Sequence, residues 1–272
     1  MTAKRGNAEI KAMGQIGNLL GKVGQHLWPT LKSAISSGVI DLQREFTTDN
    51  EIKEAIGRGF LFKKKKPILE YDIGKVSKDK LASLSLWDLK NLYPLFYQQA
   101  FGLYLDFPDE LVPDGPDEFI WPICIPGIIS NETVFRSGKL DIPRWRYAQN
   151  EQSLDSIMNL NHGRDAWMHS YIVLTKPNWE ADDDLKNFSG SDIEVKKINV
   201  MMFRERWILG LFLTWLMGDR IDRKGRTLTG SRYLNGDVLS VHSQGTEGPV
   251  NVTFTGLHEC DIFFGFRQVI SI

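Results

Sequence analysis

Three short stretches carry side chains able to do chemistry. The first, NHGRD at residues 161–165, sets His162, Arg164 and Asp165 side by side. An imidazole flanked by a guanidinium and a carboxylate has the parts for proton transfer near an anionic group. No nucleophile or substrate can be located from the chain, so a hydrogen-bonded turn is the plainer reading. The second is His258 with Cys260. On a strand, residues two apart share a face, as a thiol–imidazole pair requires. No third group stands nearby to orient them.

The third stretch is RGFLFKKKKPILEYD, residues 58–72. Lys63, Lys64, Lys65 and Lys66 follow Phe60 and Phe62 and precede Tyr71. Basic side chains interleaved with aromatic stacking platforms suit nucleic acid. On an extended chain, however, alternate lysines point to opposite faces. Lysines followed by a proline also blunt an exposed edge strand. The run therefore reads first as an edge or subunit-interface device and second as a nucleic-acid contact. Its natural partners in a neighbouring copy are the acidic strip Asp182, Asp183, Asp184 and the acidic loop 106–118.

Other signatures are missing. There is no HExxH, no GxxxxGK[ST] and no strand-linked GxGxxG. GNLLGKVG, residues 17–24, lies in a helical pattern with no strand before it. GDRIDRKGR, residues 218–226, reads as a solvated turn. Two cysteines make neither a metal pattern nor a disulfide framework. The sequence assigns no catalytic residue, metal or cofactor. It reads as a non-enzyme, with the NHGRD loop as the alternative.

The elements that must position these groups come next. A chain of 272 residues, 42% hydrophobic, can bury a sizeable core. Its net charge of −1 hides an asymmetry: residues 1–80 hold 15 Lys/Arg against 9 Asp/Glu, the remainder 18 against 25. A basic first third on an acidic body suggests an interaction arm. The most apolar run, WILGLFLTWLMG at 207–218, is too short for a membrane span, which needs about 20 residues. It suits a buried helix instead. No secretory signal follows Lys4 and Arg5.

Apolar residues from Ile10 to Ile35 step by threes and fours, predicting an amphipathic helix broken by Pro29. A second helix is expected around 41–57. Ser85 to Gly102 suits a helix in two pieces divided at Pro94, capped by Ser85 with Asp88. Residues 106–127, with five prolines, read as a stiff extended surface segment. A short helix at 150–160, a strand at 166–176, a β-rich run IEVKKINVMMF at 193–203 and an apolar helix at 206–217 follow. Strands are expected at 237–242, 249–255 and 260–270. An apolar strand at the end of this sequence needs a partner strand, which places Phe263, Phe264 and Phe266 at a subunit interface.

The order of features over 195–262 carries a resemblance. VKKINVMMF precedes an apolar helix with Trp207 and Trp215, then Tyr233, GDVLSV and GPVNVTFTGLHECDI. This resembles the C-terminal half of the tail-tube family of contractile phage tails and related baseplate tube proteins. Phe254, Thr255, Gly256 and Leu257 match that family's hairpin turn, although His258 and Glu259 replace its proline-containing stretch. The resemblance implies a β-barrel subunit that forms rings by pairing strands across copies, without catalytic residues.

The fold class expected is α+β. A helical, basic region over 1–105 is joined by the acidic, proline-rich connection 106–118 to a mainly antiparallel β body over 119–272, a barrel or sandwich holding one buried apolar helix. The function expected is structural: an assembly protein of a multi-subunit particle, viral or phage. Its partners would be copies of itself in a ring or array, other particle proteins and, less centrally, packaged nucleic acid. It would reside in the assembled particle and, during assembly, in the host cytoplasm.

Overall fold

The computed structural model describes residues 73–127, 129–136, 139–146, 152–166 and 169–271. The helices expected over 7–36 and 41–57 lie outside the described residues.

The first elements are the helices α1 (Lys78–Ala82) and α2 (Leu86–Phe101). Ser85 caps α2: its hydroxyl accepts from Asp88 N while Asp88 accepts from Ser85 N, and Gly102 closes the helix in the left-handed region at φ 72°. Helix α2 is continuous through Pro94 rather than divided there. Proline removes one backbone hydrogen bond. Packing on both sides of it compensates: Leu89, Leu92, Tyr93, Phe96, Tyr97 and Ala100 form one buried face. The Tyr93 and Tyr97 hydroxyls donate to the carbonyls of Pro122 and Cys124 at 2.9 and 2.6 Å.

Those carbonyls belong to strand β1 (Trp121–Ile125), buried along its whole length. The expected surface segment 106–127 thus ends in a core strand. Its two prolines, Pro122 and Pro126, masked the apolar run Trp121, Ile123, Cys124 and Ile125. Next come α3 (Asn131–Phe135), β2 (Arg144–Arg146), α4 (Leu154–Ile157) and β3 (Tyr171–Thr175). Strand β3 is shorter than the expected 166–176 and buried on both faces. It is the middle strand of an antiparallel sheet ordered β1-β3-β8, where β8 is Val269–Ile270.

The run at 193–203 is not a strand. Helix α5 (Gly190–Lys196) occupies its first part, opened by a Ser189–Asp192 capping box and closed by Lys197 at φ 53°. The cap signal outweighs the β propensity of Ile193 and Val195, and Val195 is left 82% exposed. Only Val200 makes a bridge, to Gln268.

Helix α6 (Phe203–Met217) is buried nearly all round, as a helix apolar on every side must be. It packs against α2, α3 and β1 and against the second sheet through β4 (Arg226–Arg232) and β5 (Val238–Ser243). Tyr93 stacks on Phe212, centroids 4.1 Å apart. Gly218, at φ 73°, ends α6 where a side chain would meet the Gly74 carbonyl.

The second sheet is ordered β2-β6-β5-β4-β7, with β6 at Val250–Thr255 and β7 at Phe264–Gly265. The β4/β5 and β5/β6 pairs are antiparallel; the outer pairs β2/β6 and β4/β7 are parallel. The sheet does not close, so the barrel alternative is corrected to two open, mostly antiparallel sheets with helices between and around them. The expected strand 260–270 splits into β7 and β8, one in each sheet, with Phe266 and Arg267 crossing the core between them.

Candidate functional site

An open groove of about 520 Å³ lies on the described surface. One wall is the NHGRD loop, with His162 and Arg164; the other is the C-terminal end of α5 with Glu194 and Lys197, and Arg232 from β4 closes it. Each group is held by a traceable contact. His162 N donates to the Asn159 carbonyl, and Asn159 N donates to the Arg232 carbonyl. Arg232 pairs with Glu194 at 2.9 Å. Arg164 turns inward, giving Nε and Nη2 to Glu205 at 2.6 and 2.8 Å.

Burial, then the Arg232 guanidinium, hold His162 below the ordinary histidine range, with Glu194 opposing. At neutral pH its imidazole is uncharged. Asp165 is the contrasting member of the motif. It is buried, and neither carboxyl oxygen makes a hydrogen bond of ordinary geometry. Burial pushes it up to about 6, with the Ser231 hydroxyl and Arg204 only partly opposing. The motif therefore sends its three side chains to three environments. His162 lines the groove, Arg164 spans from groove to core, and Asp165 is enclosed. The groove is polar, but its guanidiniums are already matched by acids, and the one lining hydroxyl among the described residues, Ser271, accepts from Asn199 Nδ2 at 3.0 Å rather than meeting the imidazole.

His258 and Cys260 do not share a strand face. They lie in the loop after β6, and Cys260 is exposed. His258 Nδ1 instead meets the Ser191 hydroxyl at 3.0 Å. Ser191 also meets Ser189 Oγ at 2.9 Å, within the start of α5. No acid bonds the other imidazole nitrogen among the described residues, so the pair lacks the orienting member of a triad.

The interface residues expected from sequence are distributed unevenly. Phe60, Phe62, Lys63, Lys64, Lys65, Lys66 and Tyr71 lie outside the described residues. Asp183 and Asp184 are exposed but already paired within the chain, with Lys186 and Lys176. Asp182 is corrected from surface to interior: it is fully buried, accepting from Asn178 Nδ2 and Gln268 N at 2.7 Å each. Phe266 is likewise a core residue, packed with Leu185, Ile193, Val200 and Leu228. Phe264 is half-buried beneath Arg226. Phe263 alone of the three phenylalanines is exposed, at 61%, beside Ile262 at 72%.

The sequence reading missed a buried charge cluster. Arg206 Nε and the Thr227 hydroxyl donate to one oxygen of Asp222, each at 2.5 Å, and Arg267 donates to the other at 2.6 Å. All three charged side chains are essentially inaccessible. Burial alone would raise Asp222, but Arg206 and Arg267 hold it below the usual carboxylate range. GDRIDRKGR is thus no solvated turn through Arg220 and Asp222, which are buried. The available signal was Arg206, the last of three charged residues heading an apolar helix.

Comparison of the chain with family models, curated proteins and solved structures finds no match. Among the described residues no helix is long and apolar enough to cross a membrane, and no cluster could hold a metal ion.

Proposed function

We propose that the chain is a structural subunit of a multi-subunit particle, joining copies of itself head to tail. The observation that carries this is the five-stranded sheet's two outer edges. Strand β7 ends the sheet on one side, its outer backbone already bonded to residues 185–187, and directly follows exposed Ile262 and Phe263; β2 forms the other edge and carries Trp145, 48% exposed. Opposite edges of one sheet are different surfaces, so a contact between them is heterologous and propagates into a ring or filament. The edge strands are only two and three residues long. Side-chain burial, rather than a long shared ladder, would therefore supply the joint. A viral or phage particle, with the Lys63–Lys66 run contacting a neighbour or packaged nucleic acid, is the setting this reading favours.

Light scattering on the purified protein tests the proposal, with the 260/280 nm absorbance ratio recorded at low and high salt. A defined multimer free of nucleic acid is expected. Ile262→Asp with Phe263→Asp should reduce it to monomers with an unchanged circular dichroism spectrum. A wild-type chain that stays monomeric across tens of micromolar overturns the reading. A monomer that carries nucleic acid at low salt and sheds it at high salt replaces it with nucleic-acid binding through the lysines.

A further inference from the structure

The two ends of the five-stranded sheet differ in chemistry. Before β7 the chain carries six exposed residues in a row, His258 to Phe263. They end in a tight turn whose tip is Ile262 and Phe263. Turn tips usually hold Gly, Asn, Asp or Ser, which tolerate the backbone and meet water. Here two large apolar side chains stand in solvent, 72% and 61% exposed. A local rule broken in this way marks a functional site. The backbone beneath them is fixed. The Asp261 carboxylate accepts from Phe263 N at 2.8 Å, and its carbonyl accepts from Phe264 N at 2.9 Å. The Phe263 carbonyl accepts from Arg226 N at 2.8 Å. A side chain at Gly225 would meet that carbonyl at 2.9 Å, so glycine is needed behind the turn. The apolar pair is held ready, and little ordering of the backbone opposes its burial.

The far edge is its complement. Strand β2 reads Arg-Trp-Arg, with Trp145 on one face and Arg144 and Arg146 on the other. Arg146 is held by Glu132, which also takes Arg136. Arg144 is exposed and pairs with no carboxylate among the described residues, although Asp141 is exposed three positions before it. The turn side carries the opposite charge. Glu259 and Asp261 are exposed, and neither has a cationic partner among the described residues; Glu259 accepts from the Thr255 hydroxyl. Arg226 lies behind the turn, over the Phe264 ring. Four strand steps separate β7 from β2, about 19 Å, so the turn cannot reach β2 of its own chain.

We infer that the Asp261–Phe263 turn is a plug and the β2 edge of the next copy its socket, an inference that rests on the head-to-tail contact proposed above. Ile262 and Phe263 cover Trp145, while the Glu259 and Asp261 carboxylates face Arg144. A partner arriving edge-on reaches both faces of a terminal strand, so one turn engages both residues. The apolar pair supplies most of the affinity and the charges set direction. Two acidic plugs repel each other, which disfavours a symmetric contact and leaves plug into socket.

A mixing experiment on the full chain tests it. Ile262→Asp with Phe263→Asp lacks the plug and keeps the socket; Arg144→Glu with Trp145→Ala does the reverse. Each should be monomeric by light scattering with an unchanged circular dichroism spectrum. Mixed in equal amounts, they should form a one-to-one dimer and grow no further, because one sound plug and one sound socket remain. Singly, Trp145→Ala should weaken assembly about thirty-fold and Arg144→Glu about ten-fold. Should the double socket variant fail to fold, Arg144→Glu, at an exposed position, still gives the answer. A wild-type multimer that neither single change weakens, or a mixture that stays monomeric, overturns the plug and socket and leaves the multi-subunit reading standing. A monomeric wild-type chain overturns both, and its binding to phosphatidylcholine vesicles through Ile262 and Phe263 would reassign the turn to a membrane surface.

Discussion

Two adjacent residues of α6, Glu205 and Arg206, head two buried charge clusters of different make-up. Glu205 is fully provided for: Arg164 binds it through two nitrogens, the Tyr171 hydroxyl donates at 3.0 Å and Met202 N at 2.8 Å. One acid meets one base, and the surplus acceptor positions go to neutral donors. On the Arg206 side, one acid meets two guanidiniums and a third, Arg220, stands close by with an orphan nitrogen. The first arrangement closes on itself and serves as a clasp between the NHGRD loop and α6. The second has more guanidinium than carboxylate within hydrogen-bond reach, with the charge of Glu180 acting on Arg206 from further off. Being buried and charged does not distinguish the two; the ratio of acceptors to donors does.

The sharpest way to break the comparison is Asp222→Asn. Asp222 sits at φ 55°, a conformation asparagine tolerates, so the backbone is kept while the charge is lost. Two buried guanidiniums then lose their shared counter-charge, and a loss of about 3–5 kcal/mol in denaturant unfolding is expected. The depressed Asp222 carboxyl also means that its contribution, present at neutral pH, fades as pH falls through its lowered folded value. Glu205→Gln should be milder, about 2–3 kcal/mol, because one arginine rather than two is stranded and the amide oxygen still accepts from Met202 N. A Glu205→Gln loss as large as that of Asp222→Asn would mean that cation excess is not what separates the clusters.

The smallest effect tests a third buried acid, on the Glu205 side. Asp165 is raised to about 6 by burial, so its folded value lies above the unfolded one near 3.9. The sign follows: its contribution is fully present below about pH 4 and is lost as pH rises through 6. Asp165→Asn should therefore stabilise the chain by about 1–2 kcal/mol at pH 8 and leave it nearly unchanged at pH 4. Urea unfolding at the two pH values checks this. A variant that is destabilised at pH 8 would show that the Asp165 carboxylate is paired after all.

Much of the local structure was legible in the chain. The Ser85–Asp88 box, the glycines at 102 and 218, the apolar run of α6 and the alternating runs of β5 and β6 each rest on contacts within a few residues, and each appears in the fold. The Ser189–Asp192 box that makes α5 a helix was equally local, though the β-branched residues around it drew the reading toward a strand. Of the candidate groove, only the NHGRD wall could be read. Glu194, Lys197 and Arg232 join it because α5 and β4 end beside that loop.

Sequence by itself determined the Ser85–Asp88 start of α2, the glycine stops of α2 and α6 and the strands β5 and β6, because caps, glycines and apolar periodicity act over one turn or one strand. Only tertiary structure decided that β1 is a core strand, that Asp182 and Phe266 are interior, and that Arg206, Asp222 and Arg267 meet. Those three are separated by 16 and 45 positions along the chain. No local pattern links them. Desolvation by the surrounding elements turns Asp222, which read as part of a solvated turn, into the shared counter-charge of two buried arginines.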